Sequence, residues 1–92
     1  MSWNGTLASR SCAFAAELAA ANGALYHSRF AGGFSAWAEN VASGYGSTSA
    51  VVAGWMASSG HRANILGPYS MMGACSATSA TGRLYWVQQF GA

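Results

Sequence analysis

Leu7, Phe14, Leu18 and Leu25 recur at helical spacing, and Ala8, Cys12, Ala15 and Ala19 form a second stripe of small residues beside them. This pattern predicts a helix over about Leu7 to Asn22, with Arg10 and Glu17 on the remaining stripe and Asn22-Gly23 as a left-handed C-cap. A helix with two apolar stripes is expected to meet neighbours on two sides. Val51, Val52, Trp55 and Met56 mark one face of a second helix, with Ser47 or Thr48 as its N-cap. Gly60 is expected to break that helix, and a short helical turn through Arg62 to Leu66 is expected to stop at Gly67-Pro68. The period then changes to two. Met71 to Thr78 and Arg83 to Phe90 read as strands joined in a hairpin through Ser79-Ala80-Thr81-Gly82. In the second run Leu84, Trp86, Gln88 and Phe90 alternate with Tyr85, Val87 and Gln89; both faces are largely apolar, which predicts cover on both sides. Arg29 to Gly46 shows no period and reads as a long glycine- and aromatic-rich loop with Glu39 in its middle. Helices followed by a hairpin predict a layered α+β architecture.

The chain has 92 residues, enough for a single domain over 1–92 with one modest core. Charged residues are 7% of it, against a typical ~25%, so its surface must be built from Ser, Thr, Asn, Gly and Ala. The cations Arg10, Arg29, Arg62 and Arg83 and the anions Glu17 and Glu39 are scattered. A net charge of +2 without a basic stripe gives no footing for nucleic acid. The uncharged stretch from Asn40 to His61 is interrupted by Gly, Ser and Thr, which argues against a membrane-spanning helix. No secretory leader is legible, because the Ala-rich run Cys12 to Ala21 carries Glu17 and lacks a basic segment before it. Cys12 and Cys75 are either two buried thiols or a bridge, which would stabilise a small secreted domain by roughly 2–4 kcal/mol.

Four blocks occur in a recognisable order: Trp3-Asn4 with Leu7, Tyr26-His27-Ser28, Ala38-Glu39-Asn40-Val41-Ala42, and Gly54-Trp55-Met56-Ala57-Ser58-Ser59-Gly60-His61-Arg62-Ala63-Asn64-Ile65-Leu66. Tyr85-Trp86-Val87-Gln88-Gln89-Phe90-Gly91 closes the chain. With these blocks the sequence resembles the bacterial branch of the CAP superfamily, the cysteine-rich secretory, antigen 5 and pathogenesis-related 1 proteins. The resemblance covers nearly the whole chain. It implies an α-β-α sandwich, an extracellular location, and a cleft where His27, Glu39 and His61 converge, with Trp37 and Ser59 as further ligand-binding positions. Two departures stand out. Animal and plant members carry a second glutamate shortly before the second histidine, where this chain has Ser58-Ser59. Members also have an additional helix ahead of the segment at Trp3, so this is expected to be a minimal or N-terminally truncated version, open to homo-oligomerisation.

Three classes of function fit these residues. One is a secreted module that binds a small molecule, a cell-wall component or a protein through the aromatic cleft. The second is a hydrolase using Glu39 and His61 as catalytic groups with His27. The third is a structural domain with a vestigial cleft. His27 and His61 as a pair would hold a divalent metal such as zinc only weakly, because catalytic zinc has three protein ligands. Against a serine triad stands the absence of aspartate and of a G-x-S-x-G elbow. Asn64 is expected to satisfy local backbone groups, and Trp37, Trp55 and Trp86 are expected in the core before they serve as ligand platforms. If Glu39 is buried it needs partners, which loop amides or a histidine would supply. The binding module is the favoured reading.

Overall fold

The computed structural model describes residues 1–29 and 32–92. The first helical pattern becomes α1 (Gly5–Ala21), which follows a two-residue strand, β1 (Ser2–Trp3). Asn4 caps α1, its Oδ1 accepting from the Leu7 amide at 2.9 Å, and Asn22 ends it at φ 50°, the left-handed cap that Asn-Gly predicts. The buried positions Leu7, Ser11, Phe14, Ala15, Leu18 and Ala19 form one continuous stripe. The two stripes expected to face different neighbours therefore lie together on one sheet. Small residues are required there because helix and sheet approach closely. A Cβ added at Gly73 would collide with the backbone of Leu7 and Ala8, and Ser11 Oγ donates to the Gly73 carbonyl at 3.3 Å. Cys12 and Cys75 are bridged, their Cα atoms 4.8 Å apart.

The remaining elements are β2 (Trp37–Ser43), α2 (Thr48–Met56), α3 (Ser59–Ile65), β3 (Met71–Thr78) and β4 (Leu84–Gly91). The sheet has the order β1-β3-β4-β2, with β1 parallel to β3 and the other pairs antiparallel. The expected hairpin forms between β3 and β4. Its turn is held by Ser79, whose Oγ accepts from the Arg83 amide at 3.0 Å, and by Gly82 at φ 84°.

Two expectations are corrected. The stretch from Arg29 to Gly46 is not loop throughout, because Trp37–Ser43 forms β2 and pairs along its length with β4, Glu39 opposite Gln89 and Val41 opposite Val87. Its two ends remain irregular; Phe30 and Ala31 lie outside the described residues. Gly60 does not break a helix. The break falls at Ala57-Ser58, and Gly60 lies inside α3.

Alternation along the strands sorts the layers. Val41, Tyr85 and Val87 pack with Phe14, Ala15, Leu18 and Ala19 of α1. On the other face Ala42 and Trp86 pack with Val51 and Trp55 of α2 and Ile65 of α3. Helix, sheet and helix pair make the expected α-β-α sandwich. The free edge of β2 is closed by side chains: Trp55 Nε1 donates to the Val41 carbonyl at 3.2 Å, and Asn64 Nδ2 to the Glu39 carbonyl at 3.3 Å. Asn64 thus satisfies distant backbone rather than local backbone. Trp55 is core, whereas Trp37 and Trp86 are half-buried. Among the described residues no helix is long and apolar enough to cross a membrane.

Candidate functional site

Glu39 projects from β2 toward the α1 face, at the level of Gln89 on β4. Its side chain is 1% exposed, whereas that of His27, on the irregular segment after α1, is 61% exposed. A buried carboxylate is costly unless it is hydrogen-bonded, and this one has four partners. Oε1 meets His27 Nδ1 at 2.9 Å and accepts from the Ser28 amide at 2.9 Å. Oε2 accepts from Ser28 Oγ at 2.7 Å and from Gln89 Nε2 at 2.8 Å. Glu39 bonds both an amide and a histidine, the two kinds of partner its burial required.

This arrangement fixes the histidine. A carboxylate receiving three other donors acts as an acceptor, so His27 Nδ1 carries the proton facing it. In the neutral ring Nε2 is then an acceptor turned away from Glu39. His27, Ser28 and Gln89 line a cavity of about 670 Å³ whose other walls are Arg10, Phe14, Glu17, Tyr26 and Arg29, with Ala13. Tyr26 stands edge-on to Phe14, ring centroids 5.5 Å apart, and donates its hydroxyl proton to Glu17 Oε2 at 2.8 Å. That hydrogen bond, reinforced by the nearby carboxylate charge, pushes the Tyr26 phenol above its ordinary range.

His61 sits in the other helical layer, near the start of α3. Its Nδ1 lies 2.9 Å from Ser58 Oγ, and the ring lines a second cavity of about 320 Å³ with Leu25, Tyr45, Gly54, Trp55 and Ser58. The two histidines thus line different cavities. The structure joins His27 to Glu39 by a hydrogen bond and ties His61 to β2 only through its backbone, whose carbonyl accepts from Asn40 Nδ2 at 3.2 Å. Trp37 and Ser59 line neither of these cavities. Trp37 is half-buried with its Nε1 unpartnered, and Ser59 is exposed at the first position of α3. Arg62 is exposed in the last turn of α3.

For a metal, the donor set is small. Among the described residues no group of three or more His, Cys, Asp or Glu side chains is gathered for one. Both Glu39 oxygens are occupied by protein donors, which leaves the Nε2 atoms of the histidines. A resident three-ligand catalytic zinc does not fit these residues.

Sequence reasoning missed Ser28, Gln89 and Asn40. Asn40 is fully buried; its Nδ2 also donates to Gln88 Oε1 at 3.1 Å, and its Oδ1 accepts from Asn64 at 2.9 Å. The available signal was polarity at inward strand positions: Gln88-Gln89 interrupts an otherwise apolar β4, and buried amides need partners.

One long helix on one face of a short sheet, a helix pair on the other, and a histidine held by a buried glutamate define a small α-β-α sandwich with a polar cleft beside its first helix. The family model of the cysteine-rich secretory protein family, CAP, matches residues 1–90, and the chain belongs to that family. Its fold is similar to that of an outer surface protein from Borrelia burgdorferi, with a TM-score of 0.85 and 20% sequence identity over 99% of this chain and 76% of that one. None of the curated protein sequences matches this chain.

Proposed function

We propose that the protein is an extracellular CAP module that binds a ligand in the cavity beside α1, with His27 presented by Glu39 as a fixed acceptor. The observation that carries this reading is the state of Glu39. A general base needs a lone pair within reach of a substrate proton, and here both carboxylate oxygens are taken by four protein partners in a buried position. The carboxylate holds the site together and leaves the histidine to meet the ligand. An extracellular location is supported by family membership and by the Cys12–Cys75 disulfide, since such bonds persist in oxidising compartments.

The test is turnover against binding. Fluorogenic ester and peptide substrates are incubated with the parent and Glu39→Gln, with and without zinc. No turnover is expected; zinc-dependent turnover lost in Glu39→Gln would establish the hydrolase instead.

A second reading, weak metal binding, is favoured by one feature. A carboxylate on Nδ1 that leaves Nε2 outward is the arrangement commonly seen behind metal-ligating histidines. His27 would be the ligand through Nε2, because His61 lines a separate cavity in the other helical layer. Zinc titration of the parent, His27→Ala and His61→Ala decides it. Loss of uptake in His27→Ala with uptake retained in His61→Ala is expected, and unchanged uptake in His27→Ala removes the metal reading.

A further inference from the structure

We propose that β3 is an interface strand: its open edge pairs antiparallel with the same strand of a second copy of this chain, about a twofold axis near Ser76, with the two α1 helices side by side above the join. The two edges of the sheet are built differently. On β2 the carbonyls of Glu39 and Val41 are taken by Asn64 and Trp55. On the other side β1 pairs with β3 only at Met71 and Met72 and then turns away into α1. Residues of an antiparallel pair alternate between facing the partner strand and facing away from it. The Ser79 amide donates to the Arg83 carbonyl, and the Met72 carbonyl accepts from the Asn4 amide, so Ala74, Ser76 and Thr78 turn their N–H and C=O groups away from β4. Among the described residues no other strand or loop backbone bonds to these three. Natural edges are guarded by charge, proline or a bulge, whereas β3 reads Met-Met-Gly-Ala-Cys-Ser-Ala-Thr and keeps an unbroken register with β4.

The surroundings of this edge select a second copy as its occupant. Cys12 is bridged to Cys75 and so marks the flank of α1 that overhangs β3. Gly5, Ser9, Cys12 and Ala16 follow one another along that flank at helical spacing, all of them exposed, small and uncharged. α1 lies over β3 and β4, and neighbouring strands are about 4.8 Å apart, so joining two copies edge to edge sets their α1 axes about 10 Å apart, a packing distance for helices. Small side chains suit that approach. A lone foreign strand would fill the edge and leave this flank bare. The charges also permit the copy. Arg10, Glu17 and Arg29 line the cavity on the opposite flank of α1, Glu39 is on β2, Arg62 is on α3, and the Arg83 guanidinium reaches toward Gly44, just past β2. None of the six charged side chains stands at the β3 edge, so two copies of a chain of net charge +2 meet there without like-charge repulsion. A twofold axis perpendicular to the sheet keeps both α1 helices on one face, and the two His27 cavities then open outward of them on the same side.

The experiment follows the intact, oxidised chain by sedimentation velocity from the micromolar to the millimolar range, with amide hydrogen exchange measured at both ends of that range. A dimer that grows with concentration is expected, together with slower exchange at Ala74, Ser76 and Thr78 in the concentrated sample. Ser76→Lys sets a charge against its own copy at the join, and Ala16→Lys does the same on the helix flank. Each is expected to weaken the dimer by about tenfold or more, whereas Ser59→Lys on α3 is expected to leave it unchanged. Circular dichroism reports that each variant is folded, and exchange in the parent reads the edge without any substitution. A chain that is monomeric throughout would overturn the proposal. So would a dimer that Ser76→Lys and Ala16→Lys leave intact, one that all three substitutions weaken equally, or one whose formation does not slow the three edge amides. Protection of those amides by an added threonine-valine octapeptide, in a chain that stays monomeric, would assign the edge to a foreign strand and overturn the second copy as well.

Discussion

Against β3 and β4, α1 buries a continuous stripe of six residues and is bonded covalently to the sheet through Cys12–Cys75. On the opposite face α2 buries only Val51 and Trp55, and α3 has no fully buried residue. Those two helices are positioned by hydrogen bonds from Trp55 and Asn64 to β2 carbonyls and by the buried Asn40. Helices of nine and seven residues have little stability of their own, so such side-chain anchors decide where they sit. The two histidines inherit this difference. His27 stands beside the apolar, cross-linked layer and is fixed by a buried carboxylate, whereas His61 rides on the polar-anchored layer with a neighbouring serine hydroxyl on its ring.

The contrast is open to attack from either side, and the disulfide is the largest lever. Replacing Cys12 and Cys75 together by alanine is expected to lower stability by roughly 2–4 kcal/mol, read as the shift in urea midpoint. If the α1 layer has no special dependence on the bond, hydrogen exchange in α1 will stay slower than in α3 even then.

A pair of glycines tests the two layers with opposite signs. Gly73→Ala is expected to cost about 1–3 kcal/mol, because the new methyl meets the backbone of Leu7 and Ala8 and the helix must move. Gly60→Ala in α3 meets nothing within 4 Å and is expected to gain about 0.5–1 kcal/mol from helix propensity. Thermal melts of both variants under identical conditions give the comparison; equal effects would erase it.

Smaller again is Asn64→Ala, expected to cost about 1 kcal/mol globally while raising exchange in α3 more than in α1. Uniform acceleration in both helices would show that Asn64 does not anchor α3 in particular. The smallest effect is spectroscopic. Glu17→Gln is expected to lower the Tyr26 titration toward the ordinary tyrosine range, because it weakens the hydrogen bond that stabilises the protonated phenol and removes the charge that opposes the phenolate. An ultraviolet pH titration follows it, and an unmoved curve would show that the Tyr26–Glu17 bond does not form in solution.

Much of the fold was legible where one physical rule acted alone. The stripe of α1, its end at Asn22, the Ser47 cap of α2 and the alternation of β4 each follow from local geometry, and each is present. β2 was invisible for a different reason. In Trp37–Ser43 both faces are buried, and the buried positions include Glu39 and Asn40, so no apolar-polar alternation exists to be read. Those polar residues are admitted by partners far away in sequence, Gln88, Gln89 and Asn64, and a local pattern carries no information about them. The site shows the same division. The blocks around His27, Glu39 and His61 marked the chemistry, but the placement of the histidines on two cavities depends on the separate layers that carry them.

The distance between the bridged cysteines also bears on how the chain acquires its structure. Cys12 and Cys75 are 63 residues apart, and β1 likewise waits for its partner β3. During synthesis the chain therefore presents its first helix and an unpaired thiol long before the segment that covers them has appeared. Until Cys75 follows, the native partner for oxidation of Cys12 is absent. The native bond becomes accessible only after the segment between the two cysteines has been made, so correct oxidation depends on keeping Cys12 reduced, or free to exchange, until Cys75 arrives.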